Sequence, residues 1–121
     1  MIDLKTKYAG LTLRNPLIAG SSGLTNNPER NREFEKAGVG AIVLKSLFEE
    51  QIEMQSSTLM KESDYPEASD YLHEYVKVNQ VNEYLELIKK TKELCTIPII
   101  ASINCYKADN WIDFARQIEL A

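Results

Sequence analysis

The chain has 121 residues, 14 Lys and Arg against 18 Asp and Glu, a formal net charge of -4 and a pI near 5.0. An acidic balance offers no field to draw in a phosphate backbone, which argues against nucleic acid as a partner. The longest strongly apolar run, Ile97 to Ile103, is far short of the roughly 20 residues of a membrane-spanning helix, so no membrane span is expected. Two cysteines make no disulfide framework, and MIDLKTKY lacks a basic start followed by an apolar stretch, so a cytoplasmic location is expected.

Leu4, Thr6 and Tyr8, then Ala9-Gly10, then Leu11 and Leu13 alternate with a period of two broken at glycine, which predicts a β-hairpin. Asn15-Pro16 ends it, because proline donates no ladder hydrogen bond. Leu17-Ile18-Ala19 predicts a short buried strand running into the small-residue loop Gly20-Ser21-Ser22-Gly23. A helix follows, with Asn27 as N-cap, Pro28 at its first position, Glu29 in its first turn and Gly38 as its stop. Phe34 and Ala37 supply its apolar face. Ala41 to Leu44 predicts a second apolar strand, followed at once by Lys45-Ser46. Strand, helix, strand with both strands apolar throughout marks a parallel sheet covered by helices.

From Leu47 to Asn79 no period stands out, and Glu49, Glu50, Glu53, Glu62, Asp64, Glu67 and Asp70 make an irregular acidic excursion. Glu49-Glu50 reads as a solvated face. His73, the sole histidine, has no second ligand at metal spacing and reads as a surface residue. Val81, Tyr84, Leu85 and Ile88 stand at i, i+3, i+4 and i+7, an amphipathic helix with Lys89, Lys90 and Lys92 in its later turns. Cys95 reads as a small buried hydrophobe. Ile97 to Ile103 predicts the third strand, ending in Asn104-Cys105-Tyr106-Lys107; Cys105 lacks a histidine partner in sequence for a nucleophilic role. Asp109 then caps a third helix with Trp111, Ala115 and Ile118 on one face. A hairpin followed by three β-α units predicts an α/β fold, the N-terminal part of a (β/α)8 TIM barrel, with residues 1–121 as one portion of a single barrel domain.

In barrels and open parallel sheets, ligands bind at the carboxyl ends of the strands. That places Ser21-Ser22-Gly23, Lys45-Ser46 and Asn104 at one mouth. Small residues let backbone N–H groups approach a ligand, and the lysine supplies positive charge beside a low-dielectric strand end. Asn104 offers a donor and an acceptor together, as a planar heterocycle requires. Each also has a plainer reading, as a turn, a boundary charge or a turn-capping amide. The sequence carries neither a glycine-rich dinucleotide fingerprint nor a phosphate loop with GK[ST].

Asn15-Pro-Leu-Ile-Ala-Gly-Ser-Ser-Gly23, followed by Ala41-Ile-Val-Leu-Lys-Ser46, resembles the opening of the dihydroorotate dehydrogenases. Ile99-Ile-Ala-Ser-Ile-Asn-Cys-Tyr106 through Asp109-Asn-Trp111 is similar to the matching strand of the flavin-binding barrel in dihydropyrimidine dehydrogenases. The resemblance implies FMN as cofactor, with Ser21, Ser22 and Gly23 near its ring system. It implies Lys45 at the flavin's pyrimidine edge and at the substrate, Ser46 bonded to the cofactor, and Asn104 at the flavin or substrate. The implied reaction oxidises a dihydropyrimidine, dihydroorotate to orotate in pyrimidine biosynthesis, in a homodimer. An ammonium at that edge suits the negative charge of a reduced flavin.

Two departures accompany the resemblance. The Asn-Met-Gly-Leu-Pro-Asn type segment with which cytosolic members grip substrate has no counterpart at Asp70 to Asn79. The family's catalytic base, a Cys or Ser, falls after the fourth strand, beyond residue 121, so these residues alone are expected to be catalytically silent. Two other readings stand beside this one. One is a non-catalytic partial barrel that associates with another chain, and the other is a flavin-free barrel enzyme for a phosphate ligand.

Overall fold

A computed structural model of the chain describes residues 2–62, 69–107 and 111–121. Its first elements are β1 (Thr6–Tyr8), β2 (Leu11–Leu13), β3 (Ile18–Ala19), α1 (Pro28–Ala37), β4 (Ala41–Val43) and β5 (Leu47–Phe48). They are followed by α2 (Glu49–Glu62), α3 (Ser69–Leu94), β6 (Ile99–Ile100), β7 (Ile103–Asn104) and α4 (Trp111–Leu120). The residues group into two compact units, Met1–Ser46 with Leu87–Ser102, and Leu47–Glu86 with Ile103–Ala121.

The first unit opens on the expected hairpin, with β1 and β2 antiparallel and Tyr8 opposite Leu11. Ala9 and Gly10 have φ of 49° and 78°. Two successive left-handed residues match the twist of a tight hairpin, and glycine takes that conformation without steric cost. β3, β4 and β6 form a parallel sheet in that order, with Ile18 opposite Ala41 and Ile42 opposite Ile99. β4 is central, which is why it is apolar without alternation: Ala41 and Ile42 are wholly buried.

α1 starts and stops where expected. The Asn27 side chain accepts from the Arg30 amide at 3.0 Å, Pro28 is its first residue, and Gly38 ends it at φ 111°. Its buried residue, however, is Asn31, whereas Phe34 is half-buried and Ala37 exposed. Most of this helix is charged, so its inward contacts are polar. The Asn31 amide donates to the Thr25 carbonyl at 3.3 Å and to the Thr91 hydroxyl at 3.4 Å.

Glu35 fastens the C-terminal turn of α1 to the approach to β6. One of its carboxylate oxygens accepts from the Thr96 amide and hydroxyl, both at 2.7 Å, and from the Ile97 amide at 3.1 Å. The Thr96 hydroxyl is foremost in holding the carboxyl below its ordinary value of 4.5, against the effect of burial. A lowered folded-state pKa adds stability above the unfolded value and loses it as pH falls through the folded one. Glu35→Gln should therefore cost about 1 kcal/mol at neutral pH. Urea titrations at several pH values should show that gap constant above pH 5 and closing on acidification, as the wild-type carboxyl takes up its proton. A gap that persists unchanged at pH 3 would remove the carboxylate from the account.

In the second unit β5 and β7 pair in parallel, with Leu47 opposite Ile103 and Phe48 opposite Asn104. The expected third strand, Ile97 to Ile103, is therefore two short pieces, β6 and β7, broken at Ala101-Ser102. The acidic stretch read as irregular is largely helical, in α2 and the first part of α3. Glu, Gln, Met, Leu and Lys favour helix, and α2 buries Glu49, Ile52 and Ser56 on one side, a mostly polar inner face that shows no apolar stripe. In α3 the stripe is obscured because Tyr71, Tyr75 and Val78 are apolar yet exposed, while Lys77 is buried. The helix expected around Val81 to Ile88 is thus the interior of a 26-residue helix.

α4 buries Trp111 and Phe114, with Ile118 half-buried and Ala115 exposed, so its inner face is shifted from the expected one. The Trp111 and Phe114 rings meet edge to face at 5.4 Å, and Phe114 meets Tyr84 at 6.4 Å. Asp109, expected as the cap of this helix, lies outside the described residues. The fold is mixed α/β with small sheets, and no closed barrel forms among the described residues. Among those residues no helix is long and apolar enough to cross a membrane.

Candidate functional site

Three serines meet at the carboxyl ends of the parallel strands of the first unit. Ser21 follows β3, Ser46 follows β4 and Ser102 follows β6. The Ser46 hydroxyl lies 3.0 Å from that of Ser21 and 2.6 Å from that of Ser102. In each pair either hydroxyl can donate, so the run has both donor and acceptor character. The run can also reverse direction to suit what binds beside it. Ser46 and Ser102 are half-buried and Ser21 is exposed, which grades the site from the sheet outward.

Lys45 adjoins the middle hydroxyl. Its side chain is half-buried, and no ion pair among the described residues neutralises its ammonium. A cation held at a strand end beside hydroxyl donors suits a ligand with acceptor oxygens or a developing negative charge.

The remaining expected site residues are placed differently. The Ser22 hydroxyl accepts from the Leu24 amide at 3.2 Å, and the Ser22 amide donates to the Thr25 hydroxyl at 3.3 Å. Ser22 therefore caps the short 3-10 turn Gly23–Thr25, and its hydroxyl is engaged in that cap. Gly23 is the exposed first residue of that turn. Asn104 is exposed on β7 and belongs to the second unit. The structure brings Ser21 and Ser46 together and adds Ser102. The only signal for Ser102 in the sequence is the break of the apolar run at Ala101-Ser102, and it needs the strand end at Ile100 to be read.

The second unit holds a second polar cluster. Glu49, expected on a solvated face, is only 4% exposed. Its carboxylate accepts from the Tyr106 amide at 2.8 Å and the Lys107 amide at 3.2 Å. Burial pushes this carboxyl up, but those amides and a hydrogen bond from the Trp111 indole outweigh it and leave the carboxyl below its ordinary range. Glu53 takes hydrogen bonds from the Lys107 ammonium and the Tyr106 hydroxyl, with Lys107 foremost in lowering its carboxyl and the same contacts raising both partners. This cluster braces Tyr106 and Lys107 against α2. Cys95 is buried, and burial is the main cause of its raised thiol pKa. Cys105 is half-buried and unbridged. His73 is half-buried on α3.

No family model, no curated protein and no solved structure matches the chain.

Proposed function

We propose that the chain supplies three strands of a (β/α)8 barrel that binds FMN and oxidises a dihydropyrimidine in the manner of dihydroorotate dehydrogenase. The observation that carries this reading is the hydroxyl run of Ser21, Ser46 and Ser102 beside Lys45. It lies at the carboxyl ends of parallel strands whose spatial order follows the chain order. Consecutive strands stepping in one direction suit a barrel, whereas a doubly wound sheet reverses its order at the binding crevice. The flavin supplies hydride acceptance. On this chain, the serine hydroxyls orient acceptor atoms of the bound heterocycle and Lys45 stabilises negative charge at its edge. The cytoplasm and a homodimer of the complete barrel belong to this proposal.

Flavin fluorescence tests it. FMN added to a complete barrel containing this chain should be quenched saturably, and Lys45→Ala should weaken binding about tenfold, the worth of one charge-assisted hydrogen bond. The same variant should slow reduction of the bound flavin. Absence of saturable quenching up to about 100 μM FMN would overturn the proposal. Unchanged binding and reduction in Lys45→Ala would remove that residue from the site.

A further inference from the structure

The groove between α3 and α4 in the second unit is lined by side chains of both charges. The groove has a volume of about 290 Å³, at the small end of ligand pockets. Its floor is apolar, formed by Val81 and Phe114, which are 8% and 2% exposed. Lys77 also lines it, and this lysine is unusual: its side chain is only 9% exposed. Lysine is almost never buried to this extent unless its charge is paired. The ammonium stands 4.9 Å from the centre of the Trp111 ring, and no carboxylate pairs with it among the described residues. The ring face attracts the cation but satisfies none of its three donors.

A lone buried cation calls for an anionic group such as a carboxylate. The rest of the groove disfavours a simple anion. Glu74 and Asp113 line it as well, and among the described residues Asp113 has an ion-pair partner, Arg116 at 3.6 Å, while Glu74 has none. A bare carboxylate or phosphate would meet Lys77 and be repelled by both acids. A ligand that carries both charges answers all of these groups together. We propose that this groove binds a free α-amino acid with an apolar side chain. Its carboxylate pairs with Lys77, its ammonium faces Glu74 and Asp113, and its side chain packs on Val81 and Phe114. Asn82 stands at the same wall as a further polar contact.

Trp111 is the sole tryptophan and its ring lies 4.9 Å from the Lys77 ammonium, so its fluorescence reports on the surroundings of that ammonium. Leucine titrated into the protein should change that emission saturably. Leucine amide, which lacks the carboxylate, and 4-methylpentanoate, which lacks the ammonium, should each bind roughly tenfold more weakly or worse. Lys77→Gln should abolish the response to leucine. The two truncated ligands act on the unaltered protein, so the outcome does not depend on that variant folding. A flat response to leucine up to about 10 mM overturns the proposal. So does 4-methylpentanoate binding as tightly as leucine, which would make the groove a plain anion site, or leucine amide doing so, which would leave Lys77 without a role.

Discussion

Gly40→Ala should destabilise the protein by about 3 kcal/mol, the upper end of what overpacking ordinarily costs. A Cβ built at Gly40 runs into the backbone carbonyl of Asn15, and a carbonyl cannot swing aside as the tip of a flexible side chain can. Both partners are also held. The Gly40 amide donates to the Leu17 carbonyl at 2.8 Å, and the Asn15 side chain donates to the Gly38 carbonyl at 2.7 Å. Arg14 adds bonds to the Val39 and Glu35 carbonyls. Relief would require the start of β4 to move away from the segment entering β3, and those strands share the ladder that aligns Ser21 with Ser46. Urea denaturation followed by circular dichroism measures the loss. Gly20→Ala is the matched control: nothing lies within 4 Å of its added methyl, so its stability should stay within about 0.5 kcal/mol of wild type. Equal effects at the two glycines would refute the steric account.

Trp111→Ala should cost more, about 4 kcal/mol, as large-to-small changes of a buried aromatic do. The ring is 4% exposed, packs edge to face on Phe114 and lies beneath the Lys77 ammonium. Its indole N–H also donates to the Glu49 carboxylate. Trp111→Phe separates these roles. It keeps most of the apolar contact but leaves the buried carboxylate one donor short, for an expected loss of about 1–2 kcal/mol. Thermal or urea unfolding of both variants decides the matter. If phenylalanine and alanine are equally damaging, the hydrogen bond to Glu49 outweighs the packing; if alanine costs under about 1 kcal/mol, Trp111 is not a core residue.

The two variants bear on different parts of the protein. Gly40 governs the alignment of strands that carry the serine run. Trp111 governs the packing of α4 through Phe114 and Lys77, two residues that line the groove. A protein with Trp111→Ala should therefore still respond to FMN if it remains folded, since every member of the serine run and Lys45 lie in the first unit.

Local chemistry alone determined the hairpin, the limits of α1 and the apolar strands on either side of it. Ala9-Gly10, Asn27-Pro28 and Gly38 act through backbone geometry and near-neighbour hydrogen bonds, which depend only on a few adjacent residues. The placement of Ser21 and Lys45-Ser46 at strand ends was legible for the same reason, since an apolar run that stops marks its own end. The helices over residues 49–62 and 69–80 were not legible, because α2 buries Glu49 and Ser56 beside Ile52, while exposed Tyr71 and Tyr75 and buried Lys77 mask the apolar stripe of α3. Only the tertiary structure decided which polar groups meet. Ser102 joins Ser46 across 56 positions, Glu35 reaches Thr96 across 61, and Glu49 turns inward to the amides of Tyr106 and Lys107. Carboxylates and hydroxyls look alike along a chain whether solvated or buried. What distinguishes them is the donor that folding brings within 3 Å, and that partner lies far away in sequence.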